Sequence, residues 1–525
     1  MAITSSNLGV LLCLALFSHL AFSAPIDRKG ILSLLLDLLT KKNDNACCTA
    51  LDRFLPGKVS FPTNLSYTSS QITFWSAQEQ SLHPSCIVIP TSTQDVSTAV
   101  TILNVGYQAA IPGCKFAVRG AGHTPHAGAA NIDGGVTIDT QSLNQVTVSS
   151  DQKTVSVGPG NRWGNVYSTL DALNVAMVGG RLSQVGVAGL VTGGGVSFFS
   201  GRYGFACDNI KAYEVVLGNG TTVTATSTSN PRLFRALKGG SNNFGIVTRF
   251  DAVLFQQDAF LGGQIDQPIT NKEAYFDFLA DFTQSETYDP FSALITVFAW
   301  LQSVPIVTIM HTVTYTNGSA SWPPPAFKPL DDMPKLSSSV RKAKLSSFAN
   351  EIGGDAAISQ GKNNFFVTLS FVNNPAVTPE FMKQVYKLVD DAAQDLFLAL
   401  GLALTMAFQP LPHVLYSKGG DENVLGLGRF EDDLINLLFT VIWPDPLNNQ
   451  MVYDRMRTLE NALIGLAKDN GIYNEWVYLN YASQWQNPIT AYGASEVAFL
   501  KSVSKQYDPQ GIFQKAVPGG FKLGL

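Results

Sequence analysis

Residues 118–131 read VRGAGHTPHAGAAN and hold two of the chain's six histidines, His123 and His126, among Gly120, Gly122 and Gly128, with a single cation, Arg119, near the start. A strand, KFAVRG, running straight into Gly120, Ala121 and Gly122 lets the backbone turn tightly and aim several N–H groups inward, which holds a pyrophosphate without side chains. The loop suits a dinucleotide. It departs from the ordinary dinucleotide fingerprint, because the third glycine of G-x-G-x-x-G falls at Pro125 and no acidic residue follows a second strand at the expected distance. A Walker lysine, following directly on G-x-x-x-x-G, is absent from every glycine cluster. Alone, these residues also describe a glycine-rich turn around a core histidine.

Two further glycine clusters follow. GGRLSQVGVAGLVTGGGVSFFSGRYGFACDNI places Gly186, Gly189, Gly193, Gly194 and Gly195 where bulky side chains would obstruct a flat ligand lying on backbone. ALKGGSNNFGIVTRF leads into a strand over 245–250 that carries Ile246 and Val247 and closes the domain. Near the end, EWVYLNYASQW reads as a strand, in which Tyr478 and Asn480 share one face and Leu479 and Tyr481 the other. On that reading one pair alone faces a ligand.

The elements that must position these residues follow from periodicity. CIVIP, KFAVRG, GVTIDT, QVTVSS and TVSVGPG read as short strands and 93–106 as a helix, while Asn219-Gly220 between β-branched runs is a hairpin signal. After Phe255 come long apolar alternations, ALITVFAWL, VPIVTIMHTVTYT and NNFFVTLSFV, with a helix over 378–396; an antiparallel sheet covered by helices is the simple reading. SWPPPAFKPLDDMP reads as a rigid proline-rich loop within this region. A helical piece over 31–39 precedes the cysteine-bearing core.

At 525 residues, 45% apolar and 10% aromatic, the chain has ample core for two to four structural units. Its 40 acids and 35 bases include no long like-charge run, so neither a nucleic-acid stripe nor an acidic tail is indicated, and small molecules are the expected partners. Residues 1–23 hold an apolar core followed by Ala21-Phe22-Ser23, the pattern of a cleaved secretory leader rather than a membrane span. Export puts Cys47, Cys48, Cys86, Cys114 and Cys207 in an oxidising compartment. Two disulfides among the first four, with Cys207 free and buried, are expected; the pairing is open. No C-x-x-C spacing or nearby histidine pair supports zinc, and no metal is expected. Sequons at Asn64, Asn219 and Asn317 fit N-glycosylation.

Together, CKFAVRGAGHTPHAGAANIDGGVTIDT, VGVAGLVTGGGVSFFSGRYGFACDN, LKGGSNNFGIVTRF and YDPQGIFQKAVPGG resemble the secreted fungal branch of the berberine bridge enzyme-like FAD oxidoreductases, in the vanillyl-alcohol oxidase superfamily. The likeness covers nearly the whole chain after the leader. It implies an α+β fold: an N-terminal extension over 24–81, a PCMH-type FAD-binding domain over 82–254, a substrate domain over 255–477 and a C-terminal segment, 478–525, that returns to the flavin domain. It also implies that His123 bonds covalently to the flavin 8α carbon, which asks for a neutral imidazole nitrogen, available to a side chain of ordinary pKa about 6.5. His126 is then a neighbour.

Arg119, Gly120, Ala121, Gly122, Thr124 and Gly128 surround that bond, with Val185, Gly186, Gly189, Gly193, Gly194, Gly195, Ile246 and Val247 as the other implied cofactor contacts. Many relatives add a cysteinyl bond from G-x-C-x-x-V-G. Here Gly180-Arg181-Leu182-Ser183-Gln184-Val185-Gly186 puts Leu182 in the cysteine's place, so attachment through His123 alone is expected. By resemblance to Y-x-N-Y in carbohydrate oxidases, Tyr481 is the candidate base and Asn480 a flavin or positioning contact; a tyrosine of ordinary pKa about 10 needs that value lowered, or proton loss concerted with hydride loss. Val185 matches the position that governs oxygen access and suits an oxidase. The implied activity is oxidation of an alcohol, sugar or secondary metabolite by hydride transfer to flavin N5, with O2 reduced to hydrogen peroxide. A biosynthetic cyclase or desaturase, and an inactive flavin-binding protein, are the alternatives.

Overall fold

The computed structural model describes residues 45–356 and 359–525; the leader and the helix read over 31–39 lie outside them. The fold is α+β, built on three main sheets. In the first, Cys86–Val88 and Phe116–Arg119 flank Val136–Asp139 in parallel, with Val59–Ser60 antiparallel at the edge. Cys86–Val88 and Val136–Asp139 are buried throughout, as parallel strands covered on both faces must be. The crossover from Cys86–Val88 is the helix Thr93–Gln108, begun by the Ser92 side chain, which accepts the Asp95 N–H.

The second sheet is antiparallel, in the order Val146–Val148, Thr154–Val157, Ile246–Val253, Ile210–Val216, Thr222–Ala225. Its last two strands form the expected hairpin: Val216 pairs with Thr222, and Gly220 takes φ +81, a conformation that glycine adopts without strain. The chain then enters a nine-stranded antiparallel sheet whose centre runs Val304–Tyr315, Ser292–Leu301, Ala403–Leu411, Leu434–Trp443, Asn363–Val372.

Strand periodicity decides what each face of this large sheet does. Phe365, Val367, Leu369 and Phe371, with Ile435, Leu437, Phe439 and Val441 beside them, pack in one core with Phe381, Val385 and Val389 of the helix Thr378–Leu396 and Met456 and Leu463 of Asn449–Asp469. The alternate residues Phe366, Leu438, Thr440 and Ile442 face the other way, into a cavity. The proline-rich segment read as a loop contains two short helical turns, Pro325–Phe327 and Lys328–Asp332. Proline is compatible with a first helical turn, and burial of Phe327 and Leu330 fixes the turns in the core. The C-terminal residues pack on the first sheet, where Phe116 donates its N–H to Ala516 O at 2.8 Å and its ring meets Phe513 edge-on.

Two disulfides tie the helix Ala46–Phe54 to the first sheet, Cys47–Cys114 and Cys48–Cys86, and Cys207 is a buried free thiol. Gly106 makes the first bridge possible, since a Cβ there would lie 2.5 Å from Cys47 Sγ. The Cys48–Cys86 bridge spans 38 positions. Replacing that pair with serines should lower the unfolding free energy by about 2–4 kcal/mol, read from the midpoint and slope of urea unfolding together; an unchanged unfolding free energy would show that the bridge constrains nothing.

Candidate active site

The strand Phe116–Arg119 delivers the loop that carries His123. Gly122 has φ +67, and a Cβ there would strike the Phe74 ring at 2.7 Å, so glycine is required for the close approach. The His123 ring stacks on Trp75 at 4.4 Å between centroids and 22° between planes, and Trp75 is anchored by its indole N–H to Ser359 Oγ at 2.8 Å. Burial, with the positive charge of Arg162 nearby, pulls the His123 pKa down to about 3. The imidazole is therefore neutral at physiological pH. Its Nδ1 is buried and has no hydrogen-bond partner in the protein.

Arg162 spans two glycine loops, donating to Ala121 O at 3.0 Å and to Gln184 O. Thr124 O accepts from Ser76 Oγ at 2.8 Å. Arg119 does not line the cavity: its guanidinium lies over the Phe74 ring and bonds Ser70, Thr73 and the Asp139 carboxylate, so it supports the loop from beneath. Gly128 is also outside the lining. Its N–H and that of Ala130 bond the buried Glu79 carboxyl, whose pKa is raised to about 7 by desolvation that those N–H bonds and Arg119 offset in part.

Gly120, Ala121, Gly122, His123 and Thr124 meet Val185, Gly186, Gly189, Ile246 and Val247 around a single cavity of about 480 Å³. A Cβ at Gly189 would face open space, whereas one at Gly186 would lie 2.6 Å from Ala121 Cβ. Leu182 is on the wall, as are Phe366, Leu438, Thr440 and Ile442 from the large sheet. Gly193, Gly194 and Gly195 are not on the wall. Gly193 makes room for the tail instead, since a Cβ there would meet Asn480 Oδ1 at 2.0 Å, while one on Gly194 would press on Leu425 and one on Gly195 would strike Leu190 and Ala206.

That tail is not a strand. Residues Leu479–Tyr481 form a 3-10 turn, closed by Tyr481 N–H to Tyr478 O at 3.0 Å. Three residues per turn superpose positions i and i+3, so Tyr478 and Tyr481 lie together with ring centroids 4.7 Å apart, and both line the cavity with Leu479 and Asn480. The strand alternation fails here because Tyr478 is pinned. Its hydroxyl oxygen accepts the N–H groups of Gly195 and Val196, both at 3.1 Å, and the Asn480 amide at 3.0 Å, while burial pushes its pKa up. Asn480 also donates to Leu190 O at 3.1 Å, so its amide serves the turn. Tyr481 donates to Gln409 Oε1 at 3.1 Å and accepts from Arg181 Nη2 at 2.7 Å. Trp75, Glu79, Arg162 and Gln409 belong to no sequence motif, and Arg181 fills an unspecified position of the Gly180–Gly186 segment; they reach the site from separate elements. Among the described residues no cluster of His, Cys, Asp and Glu is arranged to hold a metal ion.

Residues 84–226 match the model of an FAD binding domain. The fold is shared with a chitooligosaccharide oxidase (TM-score 0.72, 17% identity, 91% of this chain and 99% of that one) and with berberine bridge enzyme from Eschscholzia californica (TM-score 0.72, 14% identity, 91% and 100%). The FAD-dependent monooxygenase sdcF of Emericella nidulans is 37% identical over 484 residues, covering 91% of this chain and 98% of that protein. The FAD-dependent monooxygenase tpcD of Cochliobolus heterostrophus is 36% identical over 476 residues, covering 88% and 89%. The chain belongs to the berberine bridge enzyme-like FAD-linked oxidoreductases.

The cavity of this berberine bridge enzyme-like chain fits FAD. The unpartnered His123 nitrogen, the open face at Gly189 and the backbone wall of residues 120–122 are the features such a ligand needs. Glu79 supports that wall through its loop and carries its own signature. Because the folded state raises its pKa from the ordinary 4.5 to about 7, its contribution to stability is complete below the unfolded value and is lost as pH rises through 7. Glu79→Gln should therefore gain about 1–3 kcal/mol on the wild type between pH 5.5 and pH 8.5, measured by urea unfolding of the two proteins side by side. A difference that does not change with pH would refute this role.

Proposed function

We propose that the protein is an exported oxidase, with FAD bound to His123 alone, acting on an apolar, aromatic metabolite. The carrying observation is the cavity itself: a neutral histidine with an unpartnered nitrogen, and Tyr481 hydrogen-bonded to Arg181 and Gln409 beside a sheet wall of Phe366, Leu438, Thr440 and Ile442. In this reading residues 82–254 hold the cofactor, 255–477 the substrate and 478–525 complete the site; of the extension read over 24–81, residues 24–44 lie outside the described residues and 45–81 pack against the cofactor domain. The absence of a thiol at Leu182 supports attachment through one residue. FAD would supply the acceptor for hydride and the route of electrons to O2. Tyr481 would act as its phenolate: with its hydroxyl proton given up, its oxygen takes the proton released from the substrate's O–H or N–H and returns to the neutral phenol, and the charged hydrogen bond from Arg181 steadies the phenolate before that transfer. Asn480 and Tyr478 hold in place the turn that carries Tyr481. Val185, on the cavity wall, leaves room for O2. Asn64 and Asn219 are exposed and Asn317 half-buried, as glycan acceptors on an exported protein would be.

The relatives named as FAD-dependent monooxygenases support a second reading, in which one oxygen atom of O2 enters the product. Turnover under 18O2 with peroxide quantified separates the two: an oxidase gives one hydrogen peroxide per substrate and unlabelled product, whereas labelled product with little peroxide would replace the oxidase reading.

Acid precipitation of the wild type should carry the yellow colour into the pellet, and His123→Ala should release it or lose it. Colour in the wild-type supernatant would overturn covalent attachment. Tyr481→Phe should slow anaerobic bleaching of the flavin by substrate by about 100-fold or more while the flavin spectrum persists; a change within a few-fold would remove Tyr481 from the base's role.

A further inference from the structure

Among the described residues Arg181 is the one charged side chain on the wall of the cavity, since His123 and His126 have pKa values lowered by burial. It is only 7% exposed. Among the described residues no carboxylate lies within ion-pair distance of it: Nη2 donates to Gln409 Oε1 and Tyr481 Oη, both uncharged acceptors, and Nε and Nη1 have no protein acceptor. The other deeply buried guanidinium, Arg119, shows what the fold does with such a group when its role is structural, giving it the Asp139 carboxylate and three further acceptors.

Burying a cation without a counter-charge is costly. A cation kept so on a wall that offers it no counter-charge marks the place where an anion binds. The two partners of Nη2 fix which end of the cavity that is. Gln409 lies on the strand Ala403–Leu411, next to Leu434–Trp443, which supplies Leu438, Thr440 and Ile442 to the wall. The guanidinium is thus held at the sheet side of the cavity by Gln409, with Tyr481 beside it.

We infer that Arg181 recognises an ionised oxygen on the substrate, so that the substrate is an aromatic carboxylate or a phenolate held by its oxyanion beside Tyr481. This rests on the aromatic-substrate reading above and narrows it. The same contact explains why Gln409 is present: its amide oxygen takes one Nη2 hydrogen and the Tyr481 hydroxyl proton, which holds the guanidinium and the phenol side by side with the remaining N–H groups free.

The test uses the oxidised holoenzyme and the shift of its flavin absorption on titration with benzoate, with neutral benzamide of the same shape, and with 4-cyanophenol across its own ionisation range. Wild type should bind benzoate at least ten-fold more tightly than benzamide, or bind cyanophenol more tightly as pH rises through the phenol's ionisation. The first outcome assigns a carboxylate and the second a phenolate. Arg181→Gln should bring benzoate and benzamide within two-fold and flatten the cyanophenol profile, and Arg181→Lys should keep part of the preference. Equal binding of benzoate and benzamide by the wild type with a flat cyanophenol profile, or a preference that survives Arg181→Gln, overturns the inference while benzamide binding leaves the aromatic cavity standing. No spectral shift with any of the three overturns both.

Discussion

The hydroxyl of Tyr478 is where distant parts of the chain are made to agree. Its oxygen takes N–H groups from Gly195 and Val196, more than 280 positions earlier, and the amide of Asn480 on its own turn. Each backbone N–H left unpaired in such a buried place would cost about 1–3 kcal/mol, so the contact holds the tail firmly. Its geometry then propagates. The chain bends into a 3-10 turn, Tyr481 falls beneath Tyr478, and the phenol comes within reach of Arg181 and Gln409. Glycine at 193 and 194 is the condition for this docking, because side chains there would collide with Asn480 and Leu425.

Much of the scaffold was legible from period and punctuation. The helix Thr378–Leu396, the hairpin around Gly220 and the helix-covered antiparallel sheet follow from patterns that local physics creates. The histidine loop was legible for the same reason, since tight turns need glycine at fixed offsets. What misled was the tail, whose β-branched and aromatic residues suit a strand until a long-range hydrogen bond dictates a turn. The second glycine cluster misled in a subtler way: Gly186 and Gly189 border the cavity, whereas Gly193 gives way to Asn480 and Gly195 donates its N–H to Tyr478. Trp75, Arg162 and Gln409 left no trace in the sequence because each acts across a tertiary contact, and nothing in their neighbourhoods is unusual.

Two histidine–aromatic arrangements show how environment assigns roles to one residue type. His311, in the large sheet, is buried with Nδ1 bonded to Thr296 and Tyr275 packed on it, and its pKa falls to about 3. His123 has the same depressed pKa, again mainly from burial, and each ring keeps one buried nitrogen without a partner among the described residues, Nε2 in His311 and Nδ1 in His123, but the His123 ring is set against Trp75 on the wall of a cavity. Protonation state does not separate the two. The cavity does, because it gives His123 a partner to meet.

The alternation of the large sheet separates two properties that often constrain each other. On Asn363–Val372 and Leu434–Trp443, odd-numbered side chains build the core beneath the helices, and even-numbered ones at 366, 438, 440 and 442 shape the cavity. A substitution at the even positions changes what can enter while the helix-packed layer keeps its contacts. Relatives can therefore diversify in the compounds they accept by drifting along one side of a sheet whose other side is held fixed, so that a common scaffold can be inherited intact while its chemistry is redirected.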